Sequence, residues 1–213
     1  EENTSDTSGG GASVNNRDGL TRIYDNTFCL NEAESNQTND RWVGGGGIII
    51  DTRTGTVDVE NNSFNVNTAS GDGNADGSGG GLFLHIEEDS EAEANILRNI
   101  VWNNTAAGFG QDIYVDDIND VDPATDPDGS PIVVADNDYS DFYSLCANTG
   151  GCTPDLTFSN NQNMDPEYLA DCDLRLQGTS PFLGMNIGAL FGAGQIPVYS
   201  PAGIVLQILI LSG

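Results

Sequence analysis

Apolar residues in this chain come in short runs, and the strongest runs follow glycine. Gly9-Gly10-Gly11 leads into Ala12-Ser13-Val14, Gly45-Gly46-Gly47 into Ile48-Ile49-Ile50, and Gly79-Gly80-Gly81 into Leu82-Phe83-Leu84. A weaker copy, Gly110-Gln111-Asp112, leads into Ile113-Tyr114-Val115. A second phrase follows each time: Asp25-Asn26-Thr27-Phe28, then Asn61-Asn62-Ser63-Phe64, Arg98-Asn99-Ile100-Val101 and Asp136-Asn137-Asp138-Tyr139. Asn26, Asn62, Asn99 and Asn137 are 36, 37 and 38 residues apart. A near-constant period with a conserved phrase and variable inserts predicts a solenoid of stacked repeats.

The runs are rich in Val, Ile, Phe, Tyr and Thr and bounded by Gly, Asn and Asp, as in Thr56–Glu60 and Pro131–Val134. No stretch carries an apolar stripe at helical period with caps, so the predicted class is all-β. Each repeat is expected to form a rung of about three short strands, stacked on the next at roughly 4.8 Å. Asn at a fixed rung position suits a corner, because Asn tolerates the left-handed conformation, and stacked corners let Asn side chains ladder. Phe28, Phe64, Val101 and Tyr139 are expected to form an interior column, and the glycine triplets a tight turn into each rung's first strand. Rungs should be interrupted at the inserts 34–44, 70–78 and 116–130. The chain divides into repeats over 1–145, a closing module with a cysteine loop over 146–195, and an apolar tail over 196–213.

The phrases Gly-Gly-Gly-Ile-Ile-Ile, Asn62-Ser63-Phe64 with Asn67-Thr68-Ala69, and Asn99-Ile100-Val101-Trp102-Asn103-Asn104 resemble those of right-handed parallel β-helix repeat proteins of bacterial surfaces, a pectate-lyase-like solenoid family. Asn163–Tyr168, Asp173–Pro181 and Ile187-Gly188-Ala189 are similar to that family's closing module. The resemblance spans roughly residues 9 to 193. It implies a right-handed parallel β-helix of about four to five rungs and an extracellular or cell-surface location, and it says little about activity.

Thirty-three acidic residues face six Arg and no Lys, for a formal charge of −27. Such a surface excludes nucleic acid and anionic membranes as partners and disfavours a polyanionic substrate. It repels itself, which points to salty surroundings or bound divalent cations. Cys29, Cys146, Cys152 and Cys172 make an even count, which in a chain of extracellular style implies disulfides. Cys146 and Cys152 flank a short Gly-containing loop and are the favoured pair. Cys29 and Cys172 then remain, near opposite ends of the solenoid, where a bond between them joins neighbouring molecules. The alternative, a Cys152–Cys172 bond with Cys29 free, stays equally open. The chain starts at Glu1 without Met or a signal peptide, consistent with processing. Sequons for glycosylation stand at Asn3, Asn36, Asn61 and Asn103, with Asn36 the best placed, in an insert.

Asp72-Gly73-Asn74-Ala75-Asp76 has the ligand spacing of a calcium loop, so Asp72, Asn74 and Asp76 are the expected Ca²⁺ ligands, although Phe83 stands where a bidentate Glu belongs. An acidic surface turn accounts for the same residues equally well. A second acidic run, 116–129, reads as a long turn. His85 is the only histidine. It follows an apolar triplet, and a structural role outweighs a catalytic one. Asp116-Asp117 has no His or basic partner nearby in sequence. No catalytic residue is assigned, and a polysaccharide lyase or hydrolase is the minority reading. An adhesin or carbohydrate-binding protein would instead present aromatics such as Trp42 or Trp102 on one face.

After residue 195 the composition changes. Ile196-Pro197-Val198-Tyr199-Ser200 opens a segment ending in Ile204-Val205-Leu206-Gln207-Ile208-Leu209-Ile210-Leu211, too short to span a bilayer. Its start resembles bacterial C-terminal sorting tails. Left free, such a strand is an aggregation hazard. It packs on its own solenoid, or is what remains of an anchor, or is donated to a neighbouring molecule. An uncapped first rung beginning by residue 9 favours donation: Ile204, Val205, Leu206, Ile208, Leu209, Ile210 and Leu211 pair with the next copy. The expected function is therefore that of an extracellular structural subunit forming head-to-tail homopolymers. The runner-up is a monomeric surface adhesin.

Overall fold

A computed structural model describes residues 2–6, 8–34, 44–71, 77–116, 131–144, 156–189 and 209–211. Residues 2–34 carry β1 (Thr4–Ser5), β2 (Ala12–Asn16), β3 (Leu20–Tyr24), β4 (Thr27–Cys29) and β5 (Glu32–Glu34). The next repeat gives β6 (Ile48–Glu60), β7 (Ser63–Asn65) and β8 (Thr68–Ser70). The third gives β9 (Leu82–Leu97), β10 (Ile100–Trp102) and β11 (Thr105–Ala106). Then follow β12 (Ile113–Asp116), β13 (Ile132–Ala135), β14 (Asp138–Tyr139), β15 (Phe142–Ser144), β16 (Leu156–Ser159), β17 (Tyr168–Ala170), β18 (Asp173–Leu176) and β19 (Leu209–Leu211). There is no helix among the described residues. The strands stop at Glu34, Ser70 and Asp116, where the inserts begin.

Successive repeats stack as parallel rungs in three sheets. One sheet runs β1-β5-β8-β11, a second β14-β10-β7-β4. The third is built on β6 and β9, whose first halves pair with β2 and β12 and second halves with β3 and β13. β15 follows β12, and β16 follows β13. Between the sheets lies one core. Ala12, Ile48, Leu82, Ile113 and Phe142 share one column, and Ile23, Val59, Ile96, Val134 and Phe158 another. The expected column of Phe28, Phe64, Val101 and Tyr139 is in register, and the Phe28 and Phe64 rings stack at 4.8 Å with 5° between their planes.

The corners are held by asparagine. Asn62 Oδ1 accepts from the Asn26 backbone N–H (3.0 Å) and from Asn26 Nδ2 (3.2 Å). Asn99 does the same for Asn62, Asn137 for Asn99 and Asn161 for Asn137. From Asn62 on, each Nδ2 also donates to the previous rung, as Asn62 does to Ile23 O at 2.8 Å. A second ladder, Asn3, Asn31, Asn67 and Asn104, holds the next corner by the same bonds. The left-handed residue is not the ladder Asn. It is the residue before it: Asp25, Asn61, Arg98, Asp136 and Asn160 in the first ladder, with φ between 53° and 56°. That turn aims the following Asn inward, where its amide is buried and hydrogen-bonded. Glycine is obligatory at the third corner. Gly45 has φ 67°, and a Cβ on Gly46 would lie 2.4 Å from Thr68 O and 2.5 Å from Gly80 O.

Of the closing module only β16 through Gln162 continues the stack, and the rest of it leaves. It folds back along the outer face of the β4–β7–β10–β14 sheet, covering Ile100 with Phe182 and Ile187 and packing Trp102, Tyr168 and Leu176 alongside. Gly188 N donates to Arg98 O at 2.7 Å and Ala189 N to Ser63 Oγ at 3.0 Å. The turn of the β17–β18 hairpin reaches the first rung, and there Cys172 bonds Cys29, with Cα atoms 5.7 Å apart. The bond therefore lies within one chain. It overturns both expectations for these cysteines, the bridge between molecules and the Cys152–Cys172 alternative. Cys146 and Cys152 lie outside the described residues.

Closing a loop of 143-residue separation removes unfolded-state entropy worth about 5 kcal/mol. Replacing Cys29 and Cys172 by Ser should lower the unfolding free energy by about 2–5 kcal/mol in urea titration. On nonreducing gels the native chain should run as a monomer. Asn62→Ala, which strips partners from buried groups on two rungs, should cost about 2–4 kcal/mol. Asn15→Ala, at an exposed site, should change the midpoint little.

Candidate functional site

Two places gather groups that the repeat alone does not require. The first is the proximal edge of the stack. Glu2–Ser5 form part of a rung ahead of the first: Glu2 N donates to Cys29 O, Glu32 N to Asn3 O, and β1 pairs with β5. The outer side of β3 is taken by the tail. β19 pairs with it antiparallel, setting Leu209 opposite Arg22, Ile210 opposite Thr21 and Leu211 opposite Leu20. All other pairings in this sheet are parallel. Of the tail residues expected to pair with another copy, Leu209, Ile210 and Leu211 lie on β3 of their own chain, while Ile204, Val205, Leu206 and Ile208 fall outside the described residues.

The second place is a polar column on the outer face of the large sheet. Asn15, Asp51, His85 and Asp116 are register partners, each the fourth residue after its rung's Gly or Asp corner. His85 Nε2 is 3.7 Å from Asp51 Oδ1, and Nδ1 is 3.7 Å from Asp116 Oδ2. Asn15 Nδ2 donates to Asp51 at 2.8 Å, and Arg17 lies 3.5 Å from Asp51 and pairs with Glu87. So the stack gives Asp116 the histidine neighbour that its sequence surroundings lack. The shared phase after the glycines was the available signal. His85 is buried, and desolvation lowers its pKa to about 4, against a hydrogen bond with the Asp116 backbone that raises it. Desolvation raises Asp51, and the Arg17 charge opposes that. At neutral pH the imidazole is neutral and a weak base, held between carboxylates of two adjacent rungs. Such a column cements rungs well and serves poorly as a general acid.

Two buried carboxylates mark the distal end. Asp112 takes the ladder position after Asn104. It accepts from Asn104 Nδ2 at 2.9 Å and from Ser140 N and Oγ at 2.7 Å. Burial raises its pKa, and these hydrogen bonds lower it. Asp138, fully buried, accepts from Met164 N at 2.8 Å, and its other oxygen has no partner. Desolvation pushes its pKa up to about 7, with the Met164 bond opposing and the Asp112 and Asp165 charges adding to the rise.

The calcium candidates Asp72, Asn74 and Asp76, the sequon at Asn36 and the aromatic Trp42 lie outside the described residues. Among the described residues no three His, Cys, Asp or Glu groups converge on a metal-sized site. Of the other sequons, Asn3 is committed to the ladder through its amide, Asn61 has its Oδ1 buried, and Asn103 is exposed. Trp102 packs beside the closing module. Among the described residues Phe109 and Phe158 are the exposed aromatics instead. No protein-family model, curated protein or solved structure matches this chain.

Asp138 and His85 set opposite pH slopes. Asp138 binds its proton more tightly folded than unfolded, so its contribution is full below its ordinary value of 3.8 and is lost as pH rises toward about 7. His85 contributes fully above its ordinary value of 6.5, and that is lost as pH falls toward about 4. Asp138→Asn should flatten the alkaline decline and raise the melting temperature at pH 8 relative to wild type. His85→Gln should flatten the acid limb. Thermal melts from pH 4 to 8 check both.

Proposed function

We propose that this chain is an extracellular structural protein: a right-handed parallel β-helix, closed along one side by its disulfide-tied module and at its proximal edge by its own C-terminal strand. The observation that carries this reading is β19 on β3. An open parallel edge invites another chain, and natural sheets cover such edges. Here an apolar strand and an exposed edge, both awkward alone, remove each other's liability. The disulfide and the charge of −27 suit an oxidising, saline exterior. The neutral, buried His85 supports a structural role over a catalytic one.

A second reading exchanges the same pairing between copies. Donation of residues 203–212 to the next subunit's β3 gives a head-to-tail polymer with no new contact, as in domain swapping. Concentration separates the two. With the cover in cis, the full chain should sediment as a monomer from about 1 to 100 μM, with the Leu209–Leu211 amides protected from exchange at every concentration. Filaments that a Gly203–Gly213 peptide dissolves would instead establish donation.

A further inference from the structure

The closing module is fastened to two outward columns of the β4–β7–β10–β14 sheet. Ser63, Ile100 and Asp138 are register partners on successive rungs, and the module meets each with different chemistry. Ala189 N donates to Ser63 Oγ at 3.0 Å, Phe182 and Ile187 cover Ile100, and Met164 N donates to Asp138 Oδ1 at 2.8 Å. Cys29, Asn65 and Trp102 form the second column. Cys172 bonds Cys29, the Asp171 carbonyl accepts from Asn65 Nδ2, and Trp102 packs with Tyr168 and Leu176 around Ile100. Among these six sheet residues Asp138 alone carries a group that changes charge between acid and neutral pH.

We propose that Asp138 is a pH-operated latch: the protonated carboxyl seats the closing module, and ionisation lifts the module from the sheet while the Cys29–Cys172 bond keeps it tethered. Asp138 is fully buried, and its second oxygen has no partner. A buried carboxylate needs several donors to hold its charge, and Met164 N is the one it has. Asp112, its acidic neighbour, shows the contrast. Asn104 and Ser140 donate to both oxygens of Asp112, so the charge settles there and the proton on Asp138. The groups around Asp138 do not relieve it. Asp165 of the module adds a second negative charge. Burial holds the Tyr168 hydroxyl above its ordinary range, so it stays neutral. Asp136, at the preceding corner, is exposed. The described cations beside the seam are paired elsewhere: Arg98, whose carbonyl accepts from Gly188, with Glu60, and Arg175 of β18 with Asp173. Burial first, then the two neighbouring charges, push Asp138 from its ordinary 3.8 up to about 7. Lifting the module returns the carboxyl to water. Seating is therefore strongest below 3.8, weakens as pH rises, and changes no further above about 7. The rungs beneath are joined by Asn amides, which do not titrate, so the stack stays closed while the module opens. Opening uncovers Ile100 and Trp102 on the sheet and Phe182 and Ile187 on the module. The module is then a conditional closure rather than a fixed one.

The test is amide hydrogen exchange on the full chain, unaltered and with Asp138→Asn, each rate being divided by the intrinsic rate at the same pH. In the unaltered chain the protection of Gly188 and Ala189 should fall by at least about tenfold between about pH 5 and about pH 8. The fall should level off at the pH where the Asp138 side-chain carbon titrates in the ¹³C spectrum. Ile48 and Thr68, which donate to Gly81 O and Asn31 O inside the stack, should keep their protection throughout. Asp138→Asn keeps the acceptor for Met164 N without the charge, and in it the protection of Gly188 and Ala189 should not depend on pH. The carbon titration needs no variant, so the comparison of midpoints holds even where the Asn variant folds poorly. Four results would overturn the proposal. Gly188 and Ala189 protection is flat with pH in the unaltered chain, or falls in step with Ile48 and Thr68. It goes on falling after Asp138 has titrated. Or a folded Asn variant loses protection as the unaltered chain does.

Discussion

Everything in this fold depends on putting amide side chains inside the corners and satisfying them along the stack. Turning a strand through a corner leaves backbone groups that no sheet can pair, and burying them unpaired is costly. Asn is short enough to enter the corner and carries both donor and acceptor, so one residue type closes the account on its own rung and on its neighbours. The cost is a left-handed residue immediately before it, accepted even at Leu30, Val66 and Arg98. Because each Asn-to-Asn bond runs from one rung's N–H groups to the next rung's Oδ1, the ladder has a polarity, and a rung inserted backwards would not make these bonds.

That polarity also explains where the regular stack stops. Asp112 occupies a ladder position with a group that only accepts. Asn104 and Ser140 both donate to it, so nothing is passed on to a further amide. From Ser140 the chain turns directly into β15, and β11 is the last described strand of its sheet. A single change from amide to carboxyl converts a propagating corner into a terminal one.

The outside of the stack obeys different physics. The rungs are equivalent, so their outer faces do not by themselves say where a covering segment should lie. The closing module is placed by particular groups: Ile100 and Trp102 as an apolar seat, Ser63 as an acceptor, Asp138 as a buried carboxyl, and Cys29 as a covalent stop. The result ties the first rung to residues far along the chain.

The periodic part of this architecture was legible in the sequence. The Phe28, Phe64, Val101 and Tyr139 column and the ladder from Asn26 to Asn137 follow because residues in the same phase of a stacked repeat must meet. The Asn15, Asp51, His85 and Asp116 column was equally in phase, yet it mixes residue types, and a repeat read by identity passes over it. What had no phase could only be decided in three dimensions. The return of the closing module, the Cys29–Cys172 bond and the seat of Leu209–Leu211 on β3 join segments outside the repeat to one chosen rung. A period tells each rung about its neighbours and nothing about a segment that crosses them, so those contacts were settled by shape, burial and an edge left to cover.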